Sequence, residues 1–125
     1  MGATEADTAA INEAVAAQTK LGIVGGTVQR SGLQQLATFA SQRQTLETLL
    51  PAMNNLLAQQ KGLSATSEDA VGVSNFMGKA LMGNVGALTR VGITLTDHQK
   101  ELIKTGDEYT RATTLAQAIP TTWAT

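Results

Sequence analysis

Glycine and proline fall at short intervals along this chain, and that punctuation limits the available folds more than any other feature. Gly22, Gly62, Gly83, Gly92 and Gly106, with Pro51 and Pro120, stand at or near the ends of helical patterns. Proline withholds an N–H from the helix ladder, and a glycine inside a helix costs about 1 kcal/mol against alanine. The helices so delimited are too short to hold alone, so their apolar faces must be buried by folding back on one another. The expected fold is all-α: a compact bundle of about six short helices, one domain over residues 1–125. No stretch alternates long enough to claim a strand; Ile23-Val24 and Val91 to Leu95 are the only candidates.

Aromatic residues are 3% of the chain, so the core must come from Leu, Ile, Val and Met. A net charge of −1 with 15% charged residues leaves no basic footprint for nucleic acid or an anionic membrane. The absence of cysteine excludes thiol nucleophiles, thiolate metal sites and disulfides. No apolar run is long enough for a membrane span, and the start MGATEADTAA lacks the regions of a signal peptide. The open pattern at IPTTWAT suggests a fragment of a longer protein.

Taken in order, Thr4 to Lys20 is alanine-rich, with acids early and Lys20 late, and predicts an edge helix stopping near Gly22 whose stripe is Ile11, Ala14, Val15 and Leu21. Gly25-Gly26 is a turn. Ser31 with Gln34 fits a capping box for a second helix, with Leu33, Leu36, Ala37 and Ala40 inward and a start as early as Thr27. The strongest amphipathic pattern is Leu46, Leu49, Leu50, Met53, Leu56 and Leu57. Pro51 interrupts it, and a restart with Pro51 in the first turn is expected. Gly62 ends this segment, and Ser64 to Ser67 is a linker.

Thr66 or Ser67 then caps a helix whose inner face is Ala70, Val73, Met77, Ala80 and Leu81, with Gly72 and Gly78 permitting close backbone approach. Past Gly83, Asn84 caps a two-turn helix with Val85, Leu88 and Val91 inward. Gly92 supplies a left-handed stop, and Ile93 and Leu95 anchor the connector. Thr96 with Gln99 and Thr105 with Glu108 make two further capping boxes. The last helix turns Tyr109, Ala112, Leu115, Ala116 and Ile119 inward before Pro120.

Residues able to carry catalytic or metal chemistry are sparse. His98 is the only imidazole, and Asp97, His98 and Glu101 are expected on an exposed helix face rather than at a metal. There is no G-x-S-x-G elbow and no P-loop. Met53, Met77 and Met82 could line an adaptable groove, though methionine at core spacing more commonly fills gaps. No catalytic residue, cofactor site or metal site is predicted, and no enzyme activity.

A resemblance resides in MGKALMGNVGALTRVGITLTDHQKELIK, Met77 to Lys104. It is similar to the conserved region of bacteriophage tail tape measure proteins: Gly78-Lys79-Ala80-Leu81, then Gly86, Leu88, Arg90, Gly92-Ile93, Thr96, Gln99-Lys100 and Ile103-Lys104. The likeness extends over about Leu49 to Ile119, with Gly83-Asn84 standing where the family often has a proline. It implies a structural protein of a phage or prophage virion, lying in the tail interior after assembly in the host cytoplasm and helping to set tail length. The partners it implies are tail tube, tail assembly chaperone and tail tip proteins and other copies of itself, with no small-molecule substrate, specific nucleic acid or membrane span. The alternatives are a module associated with a cell-wall hydrolase of a tail protein, and a generic helical adaptor.

Overall fold

The computed structural model describes residues 5–20, 24–89 and 93–119. Their order is α1 (Glu5–Thr19), α2 (Gly26–Leu36), α3 (Arg43–Lys61), a 3₁₀ turn (Gly62–Ser64), α4 (Ser67–Leu81), the single turn α5 (Gly86–Thr89), α6 (Asp97–Thr105) and α7 (Glu108–Ala118). Six of these helices are nine residues or longer, and no strand occurs among the described residues. The fold is an all-α bundle, as the punctuation requires.

α3 is the axis, packed by α1, α2, α4 and α7. It runs unbroken through Pro51, where a restart was expected. The proline removes the hydrogen bond to the Glu47 carbonyl, but Leu46, Leu49 and Leu50 before it and Ala52, Met53, Leu56 and Leu57 after it are all buried. Burying each Leu or Met side chain is worth about 1.5–3 kcal/mol, so one continuous apolar face outweighs one lost ladder bond. Gly62, at φ +58°, ends the helix in a conformation that favours glycine.

α2 starts at Gly26, with Gly25 as its N-cap. Ser31 therefore lies inside the helix rather than at its cap, and its hydroxyl donates to the Thr27 carbonyl. The helix stops at Leu36, and a turn over Ala37 to Phe39 delivers Ala40 to the core from outside it.

α4 has the expected inner face, with Ala70, Val73, Met77, Ala80 and Leu81 buried. Thr66 is its cap: its hydroxyl accepts from the Asp69 N–H while the Asp69 carboxylate accepts from the Thr66 N–H. Its C-terminus closes in a Schellman arrangement, Asn84 N–H to the Lys79 carbonyl and Gly83 N–H to that of Ala80, with Gly83 at φ +105°. Asn84 thus belongs to this stop, and α5 begins only at Gly86. Among the described residues α5 is a single turn with Leu88 buried, and Arg90, Val91 and Gly92, over which the expected two-turn helix and its glycine stop fall, lie outside them.

Ile93 and Leu95 are buried as expected, and the Thr96–Gln99 capping box is present. The Thr105–Glu108 box is not. Thr105 ends α6 and its hydroxyl donates to the Glu101 carbonyl, while Asp107 caps α7 by accepting from the Thr110 N–H. On α7, Ala112, Leu115 and Ile119 are buried, but Tyr109 is 54% exposed and does not share their face.

Candidate functional site

The motif that carries the family resemblance resolves into three kinds of residue. Ala80, Leu81, Leu88, Ile93 and Ile103 are core. Thr96 and Gln99 are spent on the α6 cap, the hydroxyl accepting from the Gln99 N–H and the Gln99 side chain accepting from the Thr96 N–H. Lys79, Lys100 and Lys104 are exposed, so among the described side chains of the motif three ammonium groups are available to a partner. Arg90 and Gly92 fall outside the described residues.

Gly78 has a different task. A β-carbon there would overlap the Phe39 ring, which the turn after α2 presses against α4. Gly32 on α2 is its counterpart: a β-carbon would strike the Met53 sulfur and come within 3.0 Å of the Ser74 Oγ. Through these two glycines α2 and α4 become the most closely packed pair in the bundle. Gly72, expected to do the same, is exposed with nothing near its missing side chain.

Glu108 supplies what α3 lacks. No acidic residue lies in the first turn of α3, and its N-cap Gln42 makes no side-chain cap. The Glu108 carboxylate, from the start of α7, accepts from the Ser41 N–H at 2.8 Å, the Ser41 hydroxyl at 2.8 Å, the Gln42 N–H at 3.0 Å and the Thr45 hydroxyl. It thereby caps a helix more than sixty residues upstream and places a negative charge at the positive end of that helix's dipole. Partial burial pushes the Glu108 carboxyl up, but the Thr45 hydroxyl and the Ser41 and Gln42 donors outweigh it and hold the group below its ordinary value.

A polar seam runs beneath the C-terminal half of α1. The Asn54 amide donates to Gln18 and Gln29, and the Gln29 amide donates to the Thr19 hydroxyl and the Val24 carbonyl. Both Asn54 and Gln29 are buried, and Asn54 Oδ1 has no partner. Beside the N-terminal half of α1 lies a cleft of about 390 Å³ with Ile11, Leu33, Ala37 and Leu46 in its walls. Nothing in the sequence reading marked Gln29, Asn54 or Asn55. The available signal was an amide pair set between Met53 and Leu56, within a helix apolar on its other face.

The six buried polar side chains among the described residues, Gln29, Thr45, Asn54, Asn55, Ser74 and Thr114, are all neutral. Asp97, His98 and Glu101 face water, as expected, and no three potential ligands cluster for a metal among the described residues. The methionine groove does not form: Met53 and Met77 are core residues, while Met82 is 62% exposed. Among the described residues no helix is long and apolar enough to cross a membrane. No protein-family model, curated protein or solved structure matches the chain.

Proposed function

We propose that the chain is a non-catalytic assembly module, a segment of a phage or prophage tail tape measure protein that organises tail assembly and helps set tail length through protein contacts. The observation that carries this reading is how the motif from Gly78 to Lys104 divides. Gly78 seats Phe39, the apolar members fill the core, Thr96 and Gln99 cap α6, and three lysines remain outside. A motif whose described members are either fold-determining or solvated suits a structural family better than a catalytic one. The partners on this reading are tail tube, chaperone and tip proteins and further copies of the chain, met in the host cytoplasm and then in the tail interior.

A measuring tape works by length and needs long uninterrupted helix at about 1.5 Å per residue. A folded-back bundle is the opposite, so its role is docking or nucleation rather than measurement. Two deletions of equal size in the full-length protein test this. Removing this segment is expected to give failed or aberrant assembly, and removing long helix is expected to give shorter tails. Tails merely shortened in proportion by the first deletion would make this segment tape.

A further inference from the structure

We propose that α1 is an exchangeable helix, and that its seat on α2 and α3 is an interaction surface which α1 of a second copy of this chain can fill. The proposal stands on how α1 is held and is independent of the tail reading.

Only Val15 is fully buried among the described side chains of α1, with Ile11 and Ala14 partly covered. Polar anchors add to these at its two ends: Asp7 pairs with Arg43 of α3 at 3.3 Å, and Gln18 and Thr19 join the Gln29–Asn54 seam. Such polar contacts can be re-formed with water when the helix lifts, and of the described side chains of α1 only Val15 passes from full burial to solvent, so α1 is held less firmly than a helix anchored by a whole apolar face. Fit is also incomplete, because the 390 Å³ cleft remains between α1 and the α2–α3 face.

The vacated seat would not be indifferent to what fills it. It would present Leu33, Ala37 and Leu46, the buried amides of Gln29 and Asn54, and the Arg43 guanidinium. A matching helix needs apolar side chains between an acid at one end and, three turns on, an amide and a hydroxyl. α1 satisfies this by construction with Asp7, Ile11, Val15, Gln18 and Thr19. A second copy therefore brings every contact the first copy makes, and α1 is joined to α2 through a stretch containing Gly22 and an exposed Gly25. Exchange of an identical element between copies is a low-cost route to association because it creates no new interface chemistry.

The test uses the full chain, which has no native cysteine to confuse it. Asn12→Cys on α1 and Gln34→Cys on α2 place two thiols at exposed positions flanking the same cleft. A short bis-maleimide can bridge them. Unbridged protein, concentrated and followed by size exclusion with light scattering, is expected to populate a dimer. Bridging monomers before concentration should lower that dimer population at least tenfold, whereas bridging afterwards should join two chains covalently. Three results overturn the proposal: a bridged chain that dimerises as readily as the open one, a dimer bridged only within each chain, or a monomer at every concentration.

Discussion

α1 and α4 are both fifteen-residue helices packed on the same core, and they are attached by opposite means. α4 meets its neighbours through absence: Gly78 leaves room for Phe39, Gly32 leaves room for Met53 and Ser74, and Ala70, Ala80, Met77 and Leu81 complete a sealed face. α1 meets them through one buried valine with Ile11 and Ala14 partly covered, and through amides, a hydroxyl and an ion pair, beside a cleft that nothing in the described structure fills. Close packing of small and apolar groups stabilises only when everything is in place, so α4 is either docked or the bundle is broken. Polar anchors can be exchanged for water, so α1 can part from a body that stays folded. Among the described helices, stability is thus concentrated in α2, α3, α4 and α7, and adaptability in α1.

The largest expected effect breaks the sealed side. Gly78→Val forces a branched side chain into the Phe39 ring, and overpacking of that kind costs about 1–3 kcal/mol. Chemical denaturation should show the loss, and Phe39→Ala in the same chain should recover part of it; additive losses would mean that the two groups do not collide. Next is Glu108→Gln, which keeps the shape but removes the charge from four donors, with an expected cost of about 1–3 kcal/mol. The native carboxyl titrates below its unfolded value, so the unfolded chain binds more protons as the pH falls through the ordinary range near 4. Stability from this group is therefore present above that range and lost below it. In denaturation curves at a series of pH values, the variant should lose less stability on acidification than the native chain does. Equal pH dependence of the two would remove the clamp.

The two glycines of α4 show where sequence reading stops. From the sequence, Gly72 and Gly78 look alike, each an interruption in one amphipathic pattern. Only the fold distinguishes them, because the residue that needs the space, Phe39, is far away in the chain. Hence Gly72→Ala, in open space at an ordinary backbone angle, should stabilise by about 0.5–1 kcal/mol. A thermal melt would show the gain, and a loss would place an unseen neighbour there.

Local signals were legible throughout. The helical periods, the Thr66 cap, the Thr96–Gln99 box and the inner face of α4 rest on contacts within a few residues. What failed was choosing between two uses of one pattern. Ser31 and Thr105 have the spacing of capping residues, but each hydroxyl donates back to the carbonyl four residues earlier. Glu108 was placed on its own helix when its carboxylate caps another. The pairing of the polar seam has no local signature, because the side-chain partners of Gln29 and Asn54 lie ten or more residues away in the chain.

The smallest effect is the one that most sharpens the contrast between the two helices. Asp7→Asn keeps the side-chain volume and removes the charge that faces Arg43, which is also paired with Glu47 at 3.1 Å. Partly exposed ion pairs are worth about 0.2–1 kcal/mol, so the global melting temperature should hardly move. If α1 opens apart from the rest, the lost fraction should fall on its own opening equilibrium. Amide hydrogen exchange along α1 should then quicken about twofold, more at low salt than at high salt, while the amides of α4 keep their rate. Exchange that quickens equally in both helices would mean that they unfold together, and the division of this bundle into a sealed body and a separable end would be lost.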